Sequence, residues 1–200
     1  MTYAVTHYKS YQEYLDDETL APNGNYRLLE TGELIELAEE SDLNVRIALR
    51  LLILLAQIEN GIYAERVRNG NREIQVTPVG DRWVNRKPDL MVLRPEHLKT
   101  LKQALFSEIA PPLFVAEVVS PGGENSDNYL RDYVWKRQQY ERLGIPEYWI
   151  VDPQRKQVTL LALVEGRYES ETVYKASDQV VSIVFPTLKI SVQSLLEGDS

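Results

Sequence analysis

The strongest constraint on the fold is a strand–helix–strand pattern in the second half of the chain. Residues 113–119 are almost continuously apolar, which is typical of a strand covered on both faces. An amphipathic helix is predicted for residues 127–143, ended by Gly144 and Pro146, and a strand at 147–151 follows. Such a connection normally crosses over right-handed and leaves its two strands parallel or nearly adjacent in one sheet. The pattern predicts an α/β fold with a mixed sheet.

Upstream of this unit the sequence predicts a helix and three strands. Ser41 or Asp42 offers a side-chain oxygen to cap the helix, and Asn60-Gly61 ends it. Strand-forming residues then occupy positions 62–67, 73–79 and 89–93, and a short helix is predicted for 96–103. The element order predicts an αβββαβ core over residues 41–152. The apolar face of the first helix carries, at three- and four-residue intervals, Leu43, Ile47, Leu51, Leu54, Leu55 and Ile58.

Further strands are predicted on both sides of this core. Residues 26–30 and 33–37 flank Thr31-Gly32 and predict an N-terminal β-hairpin within residues 1–40. Within residues 153–200, a C-terminal hairpin is predicted for 158–164 and 167–173, with a further strand at 180–185. The sequence contains no internal repeat or linker, so we expect residues 1–200 to form a single domain.

Composition limits the chemistry that the chain can carry. It contains no cysteine and two histidines, which excludes disulfides, thiolate nucleophiles and a zinc cluster. Any bound metal is therefore expected to have oxygen ligands. The formal net charge of -8 argues against a general nucleic-acid binder, because affinity for a duplex depends on Lys and Arg. A local basic patch or bound cations can still reverse the field at one site.

No segment of the sequence predicts contact with a membrane. The N-terminal residues lack the basic and apolar blocks of a secretory signal. No apolar run is long enough to cross a bilayer. We therefore expect a cytoplasmic protein.

Two carboxylates in apolar strands are the first candidates for a functional site. Glu117 interrupts an apolar run, so its charge requires a nearby cation or hydrogen-bond donors. A structural pairing with an arginine at the strand end would also satisfy it. Asp89 begins another apolar strand after Pro88, although Pro-Asp alone is also a common turn. Together, on adjacent strands, Asp89 and Glu117 would offer the oxygen ligands that magnesium prefers.

Lys136 is the third candidate because of its place on the predicted helix. It lies at three- and four-residue spacing from Tyr133 and Tyr140, on a face whose aromatic rings should pack on the sheet. The Lys136 ammonium would then reach Glu117. The alternative is an ordinary surface ion pair between Asp132 and Lys136.

A basic group near the Asp89 strand is a candidate for phosphate contacts. These residues could equally balance an acidic surface. The group comprises Arg66, Arg68, Arg72, Arg82, Arg86 and Lys87.

The motifs around the two carboxylates resemble those of known nucleases. Pro88-Asp89 followed by Glu117 is similar to the PD-(D/E)XK signature, although Val119 occupies the usual lysine position. A closer resemblance is to the Uma2 family of restriction-endonuclease-like proteins. It covers nearly the whole chain, including the N-terminal hairpin and the Ser41 helix, and its motifs are residues 117–121 (Glu-Val-Val-Ser-Pro), Asp132, Lys136, Tyr140 and residues 144–152 (Gly-Ile-Pro-Glu-Tyr-Trp-Ile-Val-Asp).

This resemblance implies a restriction-endonuclease-like fold and a metal-dependent DNA endonuclease. Asp89, Glu117 and the Val118 carbonyl would bind Mg²⁺ or Mn²⁺. The ion would activate the attacking water, and Lys136 would replace the displaced lysine of the signature, orienting that water and stabilising the transition state. Glu40 would reach the metal through a water.

The remaining motif residues have supporting roles by the same resemblance. Asp132 would steady Lys136. Tyr148, Trp149 and Asp152 are assigned to packing and strand termination. Similar nucleases cut two strands, which implies a homodimer, and no residues in the sequence predict base recognition. Two other functions fit the same residues: an inactive nuclease-fold module that binds nucleic acid or protein, and a metal-dependent hydrolase of another phosphate ester.

Overall fold

The structure is a computed structural model that describes residues 6–21, 24–38, 40–100 and 103–198. Its strands are β1 (Tyr26–Leu28), β2 (Leu34–Glu36), β3 (Val67–Arg68), β4 (Glu73–Gln75), β5 (Asn85–Arg86), β6 (Leu90–Val92), β7 (Ala104–Leu105), β8 (Phe114–Val118), β9 (Glu147–Asp152), β10 (Gln157–Val164), β11 (Arg167–Lys175), β12 (Gln179–Val180) and β13 (Ile190–Ser191). Its helices are α1 (Tyr11–Leu15), α2 (Asp42–Gly61), α3 (His97–Thr100), α4 (Asp127–Tyr129), a π-helical segment (Leu130–Trp135), α5 (Lys136–Leu143) and α6 (Val192–Glu197).

The central element is a six-stranded mixed sheet with the strand order β11-β10-β9-β8-β6-β3. Strands β8 and β9 are parallel, and every other neighbouring pair in this sheet is antiparallel. The parallel pair is joined by the helical connection that ends in α5. The mixed sheet and this crossover confirm the predicted α/β class.

Helix α2 covers one face of the sheet. The Ser41 side chain accepts a hydrogen bond from Asn44 N, and this cap starts the helix as predicted. Ile47, Leu51 and Leu55 are buried against β8, β9 and α6. Leu43, which was predicted to belong to the same apolar face, is 42% exposed. The buried face of the helix is formed instead by Asn44, Ile47, Ala48, Leu51 and Leu55, and Leu43 lies beside this face.

Helix α5 covers the opposite face. Tyr140 is fully buried there against Val115 and Tyr148. Gly144 ends the helix with a φ of 79°, a left-handed conformation that glycine adopts without strain, and Ile145 N donates to Tyr140 O. Side chains alternate along β8, so Val115 and Glu117 face α5 while Ala116 and Val118 face α2.

Smaller elements flank the central sheet. Strands β1 and β2 pair antiparallel around Gly32, and strands β5, β4 and β7 form a separate sheet. Helix α1, which the sequence did not predict, packs Tyr11 and Tyr14 onto Leu28 and Ala104. Strands β10 and β11 pair as an antiparallel hairpin.

Three predicted strands were wrong in part, and one of them, predicted at 73–79, ends at Gln75. Residues 62–66 form turns in place of a strand, and Arg66 N and Val67 N both donate to Tyr63 O. The strand predicted at 180–185 stops at Val180. Ile183 N and Val184 N donate to the Glu147 carboxylate, so they cannot form hydrogen bonds with a neighbouring strand. Of the helix predicted at 96–103, the described residues include α3 at His97–Thr100, and residues 101 and 102 lie outside the described part of the chain. In the part of the chain that the structure describes, none of the helices has the length and apolarity needed to span a bilayer.

Candidate active site

Asp89 and Glu117 meet on the α5 side of the sheet. The register of β6 and β8 pairs Leu90 with Ala116, which sets Asp89 opposite Glu117. Asp89 and Met91 are two residues apart, so their side chains point to the same face of the sheet, and Met91 packs on the α5 side. The Asp89 Oδ2 atom accepts a hydrogen bond of 2.6 Å from Val118 N. Alternation along the two strands therefore brings both carboxylates to one place.

Glu117 is almost completely buried, with 2% of its surface exposed. Tyr140 donates its hydroxyl to Oε1 at 2.5 Å, and the Lys136 Nζ atom lies 2.9 Å from Oε2. The cation that faces Glu117 is thus a lysine from the helix and not an arginine. The Tyr140 contact was not predicted, although its position on the sheet-facing side of the predicted helix was the available signal.

Lys136 is shared between two carboxylates. Its Nζ atom lies 2.7 Å from Asp132 Oδ1 as well as 2.9 Å from Glu117. The side chains of Lys136 and Asp132 are 14% and 3% exposed, so this pair is buried and is not a surface ion pair. Burial opposes the charge on Lys136, but Asp132, Glu117 and Asp89 outweigh it and raise the pKa of the amine. Lys136 is therefore held as a cation.

At Asp89 the surroundings disfavour the charged form of the side chain. Burial raises the pKa of its carboxyl group well above the ordinary value, and the nearby negative charge of Glu117 raises it further. Glu40 adds to the same effect, while Lys136 and the Val118 N–H oppose it. A buried carboxyl group whose charge is disfavoured beside a second carboxylate marks a place where an additional cation would be favourable.

Helix α2 contributes to the same site through Asn44. Its side-chain amide donates to the Val118 carbonyl at 3.3 Å and lies 3.5 Å from Glu40 Oε2. Asn44 is 4% exposed, at a position where an apolar residue would otherwise pack. It was not predicted from the sequence, and its only signal was a polar residue on the buried face of α2. Glu40 and the Val118 carbonyl thus lie on the α2 side of the two carboxylates.

The donor set fits a hard divalent cation. Asp89 and Glu117 supply carboxylate oxygens, and Val118 supplies a backbone carbonyl oxygen, the ligand types that Mg²⁺ and Mn²⁺ accept. Within the described ranges, no three acidic or histidine side chains are grouped closely enough to hold a metal by themselves. Magnesium sites commonly use one or two carboxylates and complete their shell with water and phosphate oxygens. A site with two carboxylates and a carbonyl is consistent with that pattern.

The basic residues predicted from the sequence as one group bind different partners in the structure. Arg86 is 1% exposed and pairs with Asp81 at 2.8 Å, and Arg82 pairs with Glu30. These two guanidinium groups are committed to carboxylates. The others bind backbone carbonyl oxygens: Arg66 that of Ile62, Arg68 those of Glu65 and Val67, Arg72 that of Asn71 and Lys87 that of Gly24.

The strand after the helix has a structural role. The Tyr148 hydroxyl donates to the Asp132 carbonyl at 3.1 Å, and Trp149 is fully buried. Asp152 accepts hydrogen bonds from Gln154 N and Arg155 N and so shapes the turn that ends β9. These contacts agree with packing and strand termination.

Comparisons with known proteins identify the family. A family model described as "Putative restriction endonuclease", that of Uma2, matches residues 11–193. The fold is similar to that of a crystal structure of "a putative nuclease belonging to DUF820" from Anabaena variabilis, with a TM-score of 0.64 and 14% identity over 94% of this chain and 97% of that chain. No curated protein matches the sequence. Because the family model spans nearly the whole chain, the chain belongs to the Uma2 family of restriction-endonuclease-like proteins.

Proposed function

We propose that this protein is a metal-dependent endonuclease that hydrolyses phosphodiester bonds in DNA, with Asp89, Glu117 and Lys136 as its catalytic residues. The observation that carries the proposal is the contact between Lys136 and Glu117 at 2.9 Å, with Asp89 on the adjacent strand. Two acids and an amine from three separate elements converge on one buried point. The family model and the similar nuclease fold favour phosphodiester hydrolysis over other reactions of such a site.

Each residue has a distinct task in this proposal. Asp89, Glu117 and the Val118 carbonyl would hold Mg²⁺ or Mn²⁺. When bound, the ion supplies positive charge for the developing phosphoryl oxygens and acidifies water. Lys136, kept protonated by its carboxylates, adds a fixed positive charge and orients the attacking water.

Other residues position this group. Asp132 holds the Lys136 ammonium at 2.7 Å, and Tyr140 fixes one oxygen of Glu117. Asn44 orients the Val118 carbonyl from the α2 side. Glu40 lies beside Asn44, where its carboxylate would contact the ion through a water.

Two copies of this site would cleave both strands of a duplex in one binding event, so we also propose a homodimer as the active form. Sedimentation equilibrium of the purified protein, with and without duplex DNA, measures this directly. The cytoplasmic location stays a prediction from the sequence.

The test compares the parent protein with Asp89→Asn. Asparagine keeps a side-chain oxygen to accept the Val118 N–H, which preserves the hydrogen bond seen at 2.6 Å, but it removes a negative ligand. Cleavage of plasmid and linear duplex DNA is measured with Mg²⁺, Mn²⁺, Ca²⁺ or a chelator, and Mn²⁺ binding is measured by calorimetry. We expect cleavage that requires Mg²⁺ or Mn²⁺ and falls by about 100-fold or more in Asp89→Asn, on the scale of losing a catalytic electrostatic interaction. Mn²⁺ affinity should fall with it.

A matched control is Glu171→Gln. Glu171 lies on β11 and forms an exposed ion pair with Arg137 of α5, and the change removes its charge. It should leave cleavage and Mn²⁺ binding unchanged. Cleavage by Asp89→Asn at the parent rate would refute the assignment of the site. DNA binding without cleavage, unaffected by metal or by Asp89→Asn, would support the alternative of an inactive binding module. Hydrolysis of small phosphodiesters but not of DNA would support the alternative of a metal-dependent hydrolase that acts on another phosphate ester.

A further inference from the structure

Three guanidinium groups surround one buried tryptophan beside the candidate active site. The Cζ atoms of Arg27, Arg86 and Arg131 lie 5.5, 4.7 and 5.0 Å from the ring of Trp83. They come from β1, β5 and the π-helical segment, which are distant in sequence. The ring face stabilises cations, but three of them in one place repel each other. The cluster therefore needs negative charge from elsewhere.

Only one of the three cations has a carboxylate partner within the described ranges. Arg86 pairs with Asp81 at 2.8 Å. Arg27 is 7% exposed, and its Nη1 atom donates to the Asn25 side chain and the Tyr26 carbonyl, which are both neutral acceptors. Arg131 Nη1 donates to the neutral side chain of Asn128. This pattern is unusual in a chain with a net charge of -8, where carboxylates are abundant.

The same cluster contains buried donors without acceptors. Among the described residues, Arg27 Nε, Arg86 Nη1 and Arg131 Nε are buried and have no hydrogen-bond partner. Buried N–H groups without a partner are costly, and they mark places where a water, an ion or a ligand is bound. An anion with several oxygen atoms would satisfy these donors and also neutralise the charge.

The cluster is connected to the catalytic residues through the helix that carries Lys136. Arg131 directly precedes Asp132, which holds Lys136. Arg86 Nε donates to Gln139 at 2.6 Å, and Gln139 directly precedes Tyr140. Burial lowers the pKa of Arg27, while Glu73 and Glu117 lie close enough to oppose that effect. The Trp83 cluster thus adjoins the point where Glu117 and Lys136 meet.

We infer that Arg27 and Arg131, held against Trp83, form a phosphate-binding subsite that takes a backbone phosphate next to the phosphodiester at Glu117 and Lys136. This inference rests on the proposed function, because it names how the same site binds its polynucleotide. A phosphodiester has oxygen acceptors for the donors without a partner and negative charge for Arg131, which has no carboxylate partner among the described residues, and planar guanidinium groups match it well. Arg86, bound to Asp81 and Gln139, packs on the Trp83 ring and holds it in place.

The test measures DNA binding separately from cleavage. Arg27→Met and Arg131→Met are introduced together with Asp89→Asn, so that the DNA stays intact. Fluorescence anisotropy then gives the Kd for a labelled duplex and a labelled single strand over a range of KCl concentrations. We expect each substitution to raise the Kd about ten-fold, the scale of one charge-assisted hydrogen bond. The slope of log Kd against log salt should fall by about 0.9 for each duplex phosphate that the variant no longer neutralises, and by about 0.7 on a single strand.

Two further variants separate a binding role from a structural one. Arg167→Met removes an exposed arginine at the start of β11, three strands from β8, and should leave the Kd and the salt slope unchanged. Arg131→Lys keeps the charge and should retain most of the salt slope while losing affinity. Arg131 is only partly buried, so its variants test the inference even if Arg27→Met does not fold.

The possible outcomes distinguish the subsite from the catalytic proposal. If Arg27→Met and Arg131→Met fold and bind DNA with the parent Kd and salt slope, the proposed subsite is wrong. The catalytic proposal still stands in that case if the parent cleaves DNA with metal and Asp89→Asn does not. If the parent protein binds DNA through these arginines but never cleaves it, the subsite stands and the catalytic proposal fails. If the parent protein binds neither duplex nor single strand, both are overturned.

Discussion

Replacing Lys136 with methionine removes the cation that Glu117 and Asp132 share. Methionine has a similar length and fills much of the same space, so the change is mainly electrostatic. The lysine is 14% exposed and its two partners are 2% and 3% exposed, which leaves little water to solvate the carboxylates after the change. Breaking a buried ion pair by removing one partner costs about 3–5 kcal/mol. We expect Lys136→Met to lose stability within this range, since it leaves two partners unpaired.

The free energy of unfolding is measured at pH 7 in metal-free buffer by urea denaturation, followed by fluorescence of the buried Trp149. For a chain of this size, each kcal/mol shifts the Tm by about 2–4 °C, so the melting temperature should fall by roughly 6–20 °C. The matched control is Lys156→Met, because Lys156 lies 3.9 Å from Glu197 and both side chains are more than half exposed. The control should change stability by less than about 0.5 kcal/mol. Equal losses in the two variants would refute the buried charge network.

Two other buried groups have testable effects on stability. Glu147→Gln should cost about 2–4 kcal/mol in urea denaturation, because Oε2 of Glu147 accepts from Ile183 N and Val184 N at 2.6 and 3.0 Å while Oε1 accepts from Trp149 Nε1 and the Ser182 hydroxyl at 2.7 and 2.8 Å. Glutamine has a single accepting oxygen, so one pair of donors loses its acceptor, and a loss below about 1 kcal/mol would contradict this role. His97 is 2% exposed and burial lowers its pKa, so its neutral form contributes stability above the unfolded pKa of about 6.5 that is lost as the pH falls toward the folded pKa. The difference in unfolding free energy between the parent and His97→Gln should therefore be smaller at pH 5 than at pH 7.5. An equal difference at both pH values would contradict a lowered pKa of His97 in the folded protein.

The sequence predicted the meeting of the two acids and the lysine because that meeting follows from local periodicity. Alternation along β8 assigns Glu117 to one face, and the same alternation from β6 assigns Asp89 to it. A helix with aromatic residues on its sheet-facing side assigns Lys136 to that face as well. A charge inside an apolar strand was itself a signal, because burial without a partner is costly. The catalytic roles of these residues stay a proposal.

The remaining features depend on contacts between distant segments, which local patterns do not report. The approach of Arg27 and Arg131 to Trp83 joins three parts of the chain. The end of the strand predicted at 180–185 depends on Glu147, which takes the backbone donors of that segment. Strand propensity was present there, but tertiary hydrogen bonds prevailed over it.

The π-helical segment Leu130–Trp135 makes two of the contacts described above depend on its length. Its wider turn contains one residue more than an α-helix would use, and it directs Arg131 toward Trp83 while the neighbouring Asp132 points at Lys136. Deleting a single residue there would close the wide turn to α-helical winding, so Arg131 and Asp132 could not both keep these contacts. The extra residue of this segment is therefore what lets one stretch of helix contact both Trp83 and Lys136.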